Sequence, residues 1–530
     1  MKVRSRHTVR ASSERLLAVL LPSFARKKLM SLPAVSRPKT RRVLPGRPAW
    51  LSPRVLRTET LSGLVVALAL IPEAVSFSII AGVDPRIGLF ASFTMAVTIA
   101  VTGGRPAMIS AATGAIALVL APLVRDHGVE YLLAAVVVGG ILQVLLAVAG
   151  VARLMRFLPR SVMVGFVNAL AVLIFLAQLP YLIDVPWPVY PLLAAGLVVM
   201  IGLPRLTKAV PAPLVAIVVL TTFTVAAGIA VPTVGDEGEL PSSLPVLGVP
   251  SVPLTLETLT IITPYALAMA LVGLMESLMT AKLVDDITDT HSDKTRESWG
   301  QGIANIVTGF FGGMGGCAMI GQTMINVKSG ARTRASTFLA GVFLLVLVVA
   351  LGEIVARIPM AALVGVMIMV AAGTFDWHSI RPRTLRRMPR SETAVMLSTV
   401  AVTVATHNLA IGVIVGVLVA MVLFARRVAH LVTVDSVLDP DGSTKIYHVT
   451  GQLFFASSND LVFQFDYAGD PPNVIIDLSD AHIWDASSVA ALDAITTKYE
   501  SRGTTVTIIG MNSDSRQRHN TLAGTLTGSH

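Results

Sequence analysis

The feature that most limits what this chain can fold into is a succession of apolar runs, each close to the length that crosses a bilayer. Such runs lie near 58–80, 87–102, 111–124, 129–151, 160–180, 188–203, 211–231, 259–284, 298–314, 322–333, 335–357, 358–375, 391–406 and 409–427. Because roughly 17–25 apolar residues span a membrane as a helix, an α-helical multi-pass membrane protein of about fourteen spans is expected. The third and tenth runs are short for the purpose. Only 14% of the 530 residues are charged, against about 25% in soluble globular chains, so an ordinary cytosolic enzyme is excluded. A single cysteine, Cys317, rules out an intramolecular disulfide and a multi-cysteine metal site.

Charge is unevenly placed. Residues 1–54 carry fourteen Lys and Arg against Glu14, a net of +13, while the whole chain is only +10. Such a tail reads as a cytosolic anchor beside anionic lipid rather than a nucleic-acid arm. Leu16–Phe24 is too short to span and lacks a small-residue cleavage site, so no signal peptide is expected. With the N-terminus inside, the outer loops hold Arg86, Arg125 and Arg357, whereas eighteen Lys and Arg, among them Arg156, Lys208, Arg387 and Arg427, fall inside. That asymmetry obeys the positive-inside rule. An even span count returns the polar C-terminus to the cytosol.

Two stretches echo each other. Gly103-Gly104 precedes Ala107-Met108-Ile109-Ser110 and Thr113; Gly315-Gly316 precedes Ala318-Met319-Ile320-Gly321 and Thr323. Each opens one of the short spans, seven spans apart, and an odd repeat length makes the two halves inverted, as in many secondary transporters. Glycines are poor helix interior, and non-helical backbone at membrane depth survives only where protein or a watery cavity satisfies it. Two half-helices starting near Ala111–Thr113 and Gln322–Thr323 are therefore expected, their positive ends facing each other as a backbone anion site. Small residues serving only tight helix packing are the alternative.

Two glutamates fall in mid-span, Glu73 after Pro72 in the first run and Glu276 in the eighth. A charge at the bilayer centre costs roughly 2.5–3.5 kcal/mol on insertion scales, so each is a candidate functional group. Thr280 lies one turn beyond Glu276 on the same face, where carboxylate and hydroxyl could hold sodium, or the carboxylate a proton. The plainer alternatives are a hydrogen bond from Glu276 to a neighbouring helix and a vestibule position for Glu73. Pro72 is expected to break its helix. Asp285, Asp286 and Asp289 read as solvated. Beyond Arg427 the chain becomes a small α/β domain: strands at Lys445–Phe455, Phe463–Asp466 and Val474–Leu478, a helix at Ser487–Ser501, a strand at Thr504–Gly510 and an unstructured end around Arg516 and Arg518.

Several of these motifs resemble the SulP inorganic-anion transporters, also called solute carrier family 26. They are Gly63-Leu64-Val65-Val66-Ala67-Leu68 with Pro72-Glu73-Ala74, Glu276-Ser277-Leu278-Met279-Thr280, and Asn326-Val327-Lys328-Ser329-Gly330-Ala331-Arg332-Thr333. Ile475-Ile476-Asp477-Leu478-Ser479 with Asp485-Ala486-Ser487-Ser488 resembles a STAS domain. The likeness covers residues 55 to 525 and implies a seven-plus-seven inverted repeat with core and gate domains, a homodimer and a cytosolic STAS tail. Residues 1–54, 55–428 and 430–525 would be the basic tail, the transport domain and the STAS domain. Gly312-Gly313-Met314-Gly315-Gly316-Cys317-Ala318-Met319-Ile320-Gly321-Gln322 is similar to sodium-dependent bicarbonate transporters of cyanobacterial type.

That resemblance implies Glu276, Thr280, Gly321 and Thr323 as the coupling-ion site, although the subgroup's acid is an aspartate and a glutamate suits a proton equally. The substrate site would comprise Glu73, Phe77, Ala111, Thr113, Gly114, Gly321, Gln322 and Thr323. Gln322 stands where many members have arginine, so a cation at Glu276 would supply the missing charge. Ser487 matches a serine phosphorylated in anti-sigma-factor antagonists, but it is also placed to cap a helix. The expected function is secondary active transport of small inorganic anions at the plasma membrane, with both termini cytosolic. Sodium-coupled bicarbonate uptake is the first reading and proton-coupled sulfate uptake the alternative; a nucleobase carrier and a non-transporting STAS scaffold are more distant. No enzyme, cofactor, nucleic-acid partner or metal beyond sodium is expected; a cytosolic partner of the STAS domain is.

Overall fold

The computed structural model describes residues 52–150, 153, 158–207, 211–429 and 432–524. The basic segment 1–51, with Leu16–Phe24, and Arg156 and Lys208 lie outside the described residues. Fourteen helices coincide in position with the fourteen apolar runs. The first half contains α1 (Pro53–Ala81), α2 (Pro85–Thr102), α3 (Gly114–His127), α4 (Val129–Val148), α5 (Arg160–Leu176), α6 (Val189–Leu206) and α7 (Ala212–Ala227). The second contains α8 (Leu256–Thr288), α9 (Lys294–Phe310), α10 (Ile320–Lys328), α11 (Arg334–Ala356), α12 (Met360–Thr374), α13 (Arg390–Thr406) and α14 (Leu409–Ala429). Among the described residues, eight helices are long and apolar enough to cross a membrane by length and composition alone. The short α3 and α10, of 14 and 9 residues, are each preceded by a two-residue strand, β1 (Ser110–Ala111) and β2 (Cys317–Ala318).

Packing divides the helices into two sub-bundles. Helices α1–α4 pack with α8–α11, through α4 on α9, α1 and α2 on α11, and α8 on α4. Helices α5–α7 pack with α12–α14, through α13 on α5 and α14, and α12 on α5 and α6. Small residues make these approaches possible. A Cβ on Gly140 would stand 2.6 Å from the Gly302 carbonyl, and one on Gly165 2.7 Å from Thr399 Cβ. The sub-bundles meet where α1 touches α12, α3 touches α5 and α8 touches α14.

Strands β1 and β2 cross antiparallel at the heart of the first sub-bundle, Ser110 opposite Ala318 and Ala111 opposite Cys317. Gly316 lies so close that a Cβ there would meet the Ala111 carbonyl oxygen at 1.9 Å. Buried carboxylates grip the arms leading to and from this crossing. Glu297 accepts from the N–H groups of Gly104 (2.7 Å) and Arg105 (2.9 Å), and Glu59 accepts from those of Arg332 (2.8 Å), Thr333 (3.0 Å) and Ser336 (3.2 Å).

Two expectations for the membrane part need correction. Helix α1 runs unbroken through Pro72. The Ser76 hydroxyl donates to the Pro72 carbonyl at 2.8 Å, and dense packing holds the helix on course. Asp285 is not simply solvated: it pairs with Arg105 (3.0 Å) and Lys294 (2.6 Å), tying α8 to the first arm and to α9.

The tail forms a four-stranded sheet in the order β3 (Thr433–Leu438), β4 (Thr444–Leu453), β5 (Asn473–Ile483), β6 (Thr505–Ile509). The β3–β4 pair is antiparallel and the other two are parallel. Helix α15 (Phe455–Val462) follows β4, so Phe463–Asp466 is a turn and not a strand; Phe465 packs there against Tyr447. Helix α16 (Ala486–Glu500) joins β5 to β6, and α17 (Ser513–Leu522) occupies the end expected to be unstructured. Asn512 caps α17, and Ser515 accepts from the Ile483 N–H at 2.9 Å, docking the helix on β5.

Two stability measurements follow. Gly316→Ala should lower the thermal midpoint of the purified chain, since overpacking costs about 1–3 kcal/mol, while Gly202→Ala, with open space at the Cβ, should not. Asp485→Ala should cost about 1 kcal/mol as a lost cap, because the Asp485 carboxylate accepts from the Ser488 N–H at 3.0 Å.

Candidate functional site

The crossing of β1 and β2 delivers α3 and α10 with their N-termini toward a cavity of about 460 Å³ between the sub-bundles. Thr113 is the N-cap of α3, its hydroxyl accepting from the Ile116 N–H at 3.4 Å. Met319 is the N-cap of α10, one turn earlier than the sequence suggests, and no side chain caps that helix. Gly321, with open space where a Cβ would be, and Gln322 bring the first turn of α10 to the cavity wall. Unpaired N–H groups and the aligned peptide dipoles give each half-helix end about half a positive charge. Helix N-termini of this kind favour negative charge.

Two carboxylates share this wall, Glu73 from the middle of α1 and Glu276 from α8. Among the described residues no lysine, arginine or histidine lines it. The Gln322 amide sits against the Glu73 carboxylate. Cys317 donates its S–H to Glu276 Oε2 at 3.0 Å and lies 3.2 Å from the Thr113 hydroxyl, so strand β2 bridges the acid of α8 to the cap of α3.

The structure brings together most of the candidates. Glu73, Phe77, Thr113, Gly114, Glu276, Gly321 and Gln322 all line the cavity; Ala111, Thr280 and Thr323 do not. Ala111 is paired in β1 with Cys317. The Thr323 hydroxyl faces Ile109, accepting its N–H at 3.0 Å, and so closes the crossing rather than the cavity. The Thr280 hydroxyl donates to the Glu276 carbonyl at 2.8 Å and lies 3.5 Å from that of Ala318. Its oxygen keeps lone pairs beside the Glu276 turn.

The opposite wall was not legible in advance. Phe166, Val167, Leu170 and Ile174 of α5 and Val370, Gly373 and Thr374 of α12 complete the cavity, with Met279 and Met319 at its rim. Apolar residues in an apolar helix carry no local signal. Cys317 could have been found, as the one thiol in the chain, at the end of a glycine run beside a half-helix start. In the tail, Ser487 is exposed at the second position of α16, and the cap is Asp485. Ser488, the buried neighbour, lies 3.0 Å from the Ser458 hydroxyl. On β5, hydrogen bonds from Ser479 hold the half-buried Asp477 carboxyl below its usual range, with His448 adding to the effect.

The profile described as the sulfate permease family matches residues 56–191 and 189–399, and the STAS domain profile matches 436–523. YbaR of Bacillus subtilis, provisionally named a sulfate transporter, is 53% identical over 461 residues, covering 87% of this chain and 96% of its own. The bicarbonate transporter BicA of Picosynechococcus is 25% identical over 497 residues, covering 83% of this chain and 86% of its own. Among solved structures, murine Slc26a9, an anion transporter captured facing inward, superposes with a TM-score of 0.76 at 16% identity, covering 91% of this chain and 92% of that one. The transmembrane domain of a cyanobacterial BicA superposes at 0.61 with 23% identity, covering 68% of this chain and 98% of that one. At such identities the superpositions speak for the fold alone.

A Cβ on Gly114 would meet the Phe77 ring at 2.8 Å and Ile174 at 3.2 Å. Gly114→Val should therefore fill the cavity mouth and reduce anion flux in liposomes by at least about tenfold, by overpacking of this contact, while the purified variant remains monodisperse.

Proposed function

We propose, from the premise that this chain belongs to the sulfate permease family of membrane anion transporters, that it carries a small oxyanion across the membrane together with a cation by alternating access. The observation that supports this most directly is the composition of the cavity wall: two carboxylates, two half-helix N-termini and no basic side chain. Two helix ends contribute about one positive charge in total. Two ionised carboxylates exceed that, so an anion can enter only with a cation that neutralises at least one of them. Coupling is then an electrostatic requirement of the site.

In the first reading the cation is sodium and the anion bicarbonate. A monovalent anion leaves the smallest uncompensated charge, and the Thr280 hydroxyl, 3.5 Å from the Ala318 carbonyl and one turn beyond Glu276, offers oxygen ligands of the kind a hard cation takes. Glu73, Phe77, Thr113, Gly114, Gly321 and Gln322 would contact the anion, with Ala111 and Thr323 holding the two half-helices in register. Relatives named as bicarbonate transporters favour this reading. The second reading, sulfate with protons on the glutamates, is favoured by the 53% identical relative provisionally assigned to sulfate. In both, residues 1–54 are a cytosolic tail, 55–428 the transport domain and 430–525 a cytosolic STAS domain. The protein works as a homodimer in the plasma membrane. Exposed Ser487 is its phosphorylation candidate, no longer claimed by capping.

Purified protein in liposomes should take up labelled bicarbonate only with an inward sodium gradient. Sulfate uptake driven by an acidic exterior would select the second reading, and flux of neither anion would overturn both. Glu276→Gln should reduce coupled uptake at least about tenfold, as loss of a charged partner costs more than 1.4 kcal/mol. Unchanged ion dependence in that variant would remove Glu276 from the coupling site.

A further inference from the structure

We propose that the groove between α5, α13 and α14 is a binding site for an anionic phospholipid of the cytosolic leaflet. The groove has a volume of about 610 Å³ and shares no residue with the transport cavity. Its long wall is apolar, with Val395, Val417, Ala420, Met421, Leu423 and Phe424. Phe424 and Met421 are 69% and 59% exposed. At one end the chemistry changes: Arg160, Arg427, Ser161, Ser391 and Glu392 surround the opening. Charge asymmetry places that end on the cytosolic side, where α5 and α13 begin and α14 finishes.

An apolar wall ending in guanidinium groups has the outline of a phospholipid, with acyl chain along the groove and phosphate at the arginines. Arg427 donates to the Ser391 hydroxyl at 3.1 Å, which presents its guanidinium across the opening. Among the described residues neither Arg160 nor Arg427 has an ion-pair partner, and the opposing charge in the groove is the exposed Glu392. The segment leading into α13 adds Arg381, Arg383, Arg386 and Arg387, and the first residue of α13 adds Arg390, likewise without ion-pair partners among the described residues. The field at the opening therefore stays positive despite Glu392. Both α5 and α13 start at prolines whose side chains cannot cap, Pro159 and Pro389, which leaves the first N–H groups of two helices without a side-chain acceptor.

A soluble anion would use the arginines and leave the apolar wall uncovered. A second copy of the chain related by a twofold axis through the groove would set Arg160 and Arg427 against their own equivalents, and like charges oppose such a contact. An anionic lipid satisfies both ends at once.

The full chain in phosphatidylcholine nanodiscs should be titrated with phosphatidylglycerol and read by retained lipid in native mass spectrometry and by thermal midpoint. Phosphatidylglycerol should be retained over phosphatidylcholine and raise the midpoint, and millimolar inorganic phosphate should not. Juxtamembrane basic residues contribute about fivefold each to anionic-lipid binding, so Arg160→Gln with Arg427→Gln should weaken retention roughly 25-fold. Arg125→Gln with Arg357→Gln, on the outer side, should leave it unchanged. Should the first double variant fail to fold, Ala420→Trp, which blocks the apolar wall and keeps both guanidiniums, should abolish retention equally. Unchanged retention in the folded groove variants would overturn the proposal. So would a midpoint rise reproduced by inorganic phosphate, or a variant that alters only the mass of the assembly, which would mark the face as a contact between copies.

Discussion

The antiparallel crossing of Ser110–Ala111 with Cys317–Ala318 is the contact on which the rest of the structure depends. Backbone that leaves the helix at membrane depth must find partners for its polar groups within the protein, and here it does so almost group by group. The Ala107 N–H reaches the Thr333 carbonyl, and the carbonyls of Ala107 and Met108 accept from Asn326 and Thr337. Ile109 is closed by Thr323 and Met319, and the Ala112 N–H by Ser92. All of these partners except Ser92 come from the second half of the chain, so the crossing can form only when both halves of the first sub-bundle have assembled. Gly316 permits it by leaving room for the Ala111 carbonyl.

That crossing also sets the electrostatics. By ending two helices inside the protein, it turns orphan N–H groups into a polar wall without any basic side chain. Glu276 is then held beside them by the Cys317 thiol, which sits on the crossing strand itself. Buried Glu297 and Glu59 perform the complementary task at the far ends of the arms, where they accept backbone N–H groups that would otherwise be unsatisfied. Glu59 and Glu297 thus hold backbone, whereas Glu73 and Glu276 face the cavity.

Much of this was legible because physics leaves strong marks on membrane sequences. Run length and the Lys/Arg asymmetry located the helices, and the repeated Gly-Gly motif located both half-helices to within a few residues. What was missed has equally physical causes. Thr280, Thr323 and Ala111, which the resemblance places in the site, do not line the cavity, because an interrupted helix uses nearby hydroxyls and strand residues for its own hydrogen bonds. The cavity-lining residues of α5 and α12 are nearly all apolar, like their lipid-facing neighbours, so little distinguishes cavity from lipid. In the tail, Phe463–Asp466 looks like a strand because it is aromatic, whereas its aromatic ring is used to pack a turn. Helix α17 is polar enough to resemble a loose end; a cap at Asn512 and a tertiary contact through Ser515 make it a helix. Asp485 outcompeted Ser487 for the cap because it lies two residues earlier, outside the first turn.

The cavity wall is chemically one-sided. Its carboxylates and half-helix ends come from α1, α3, α8 and α10, whereas α5 and α12 offer Phe166, Leu170, Ile174 and Val370, with Thr374 as a polar exception. On the transport reading proposed above, discrimination among cargoes would fall to one sub-bundle, while the facing surface would act largely as a greasy bearing. The two can diverge independently: a lineage could exchange one oxyanion for another through a few substitutions around α10 without retuning the sliding surface. Changes in α5 or α12 would alter the speed of the stroke and leave the choice of passenger intact.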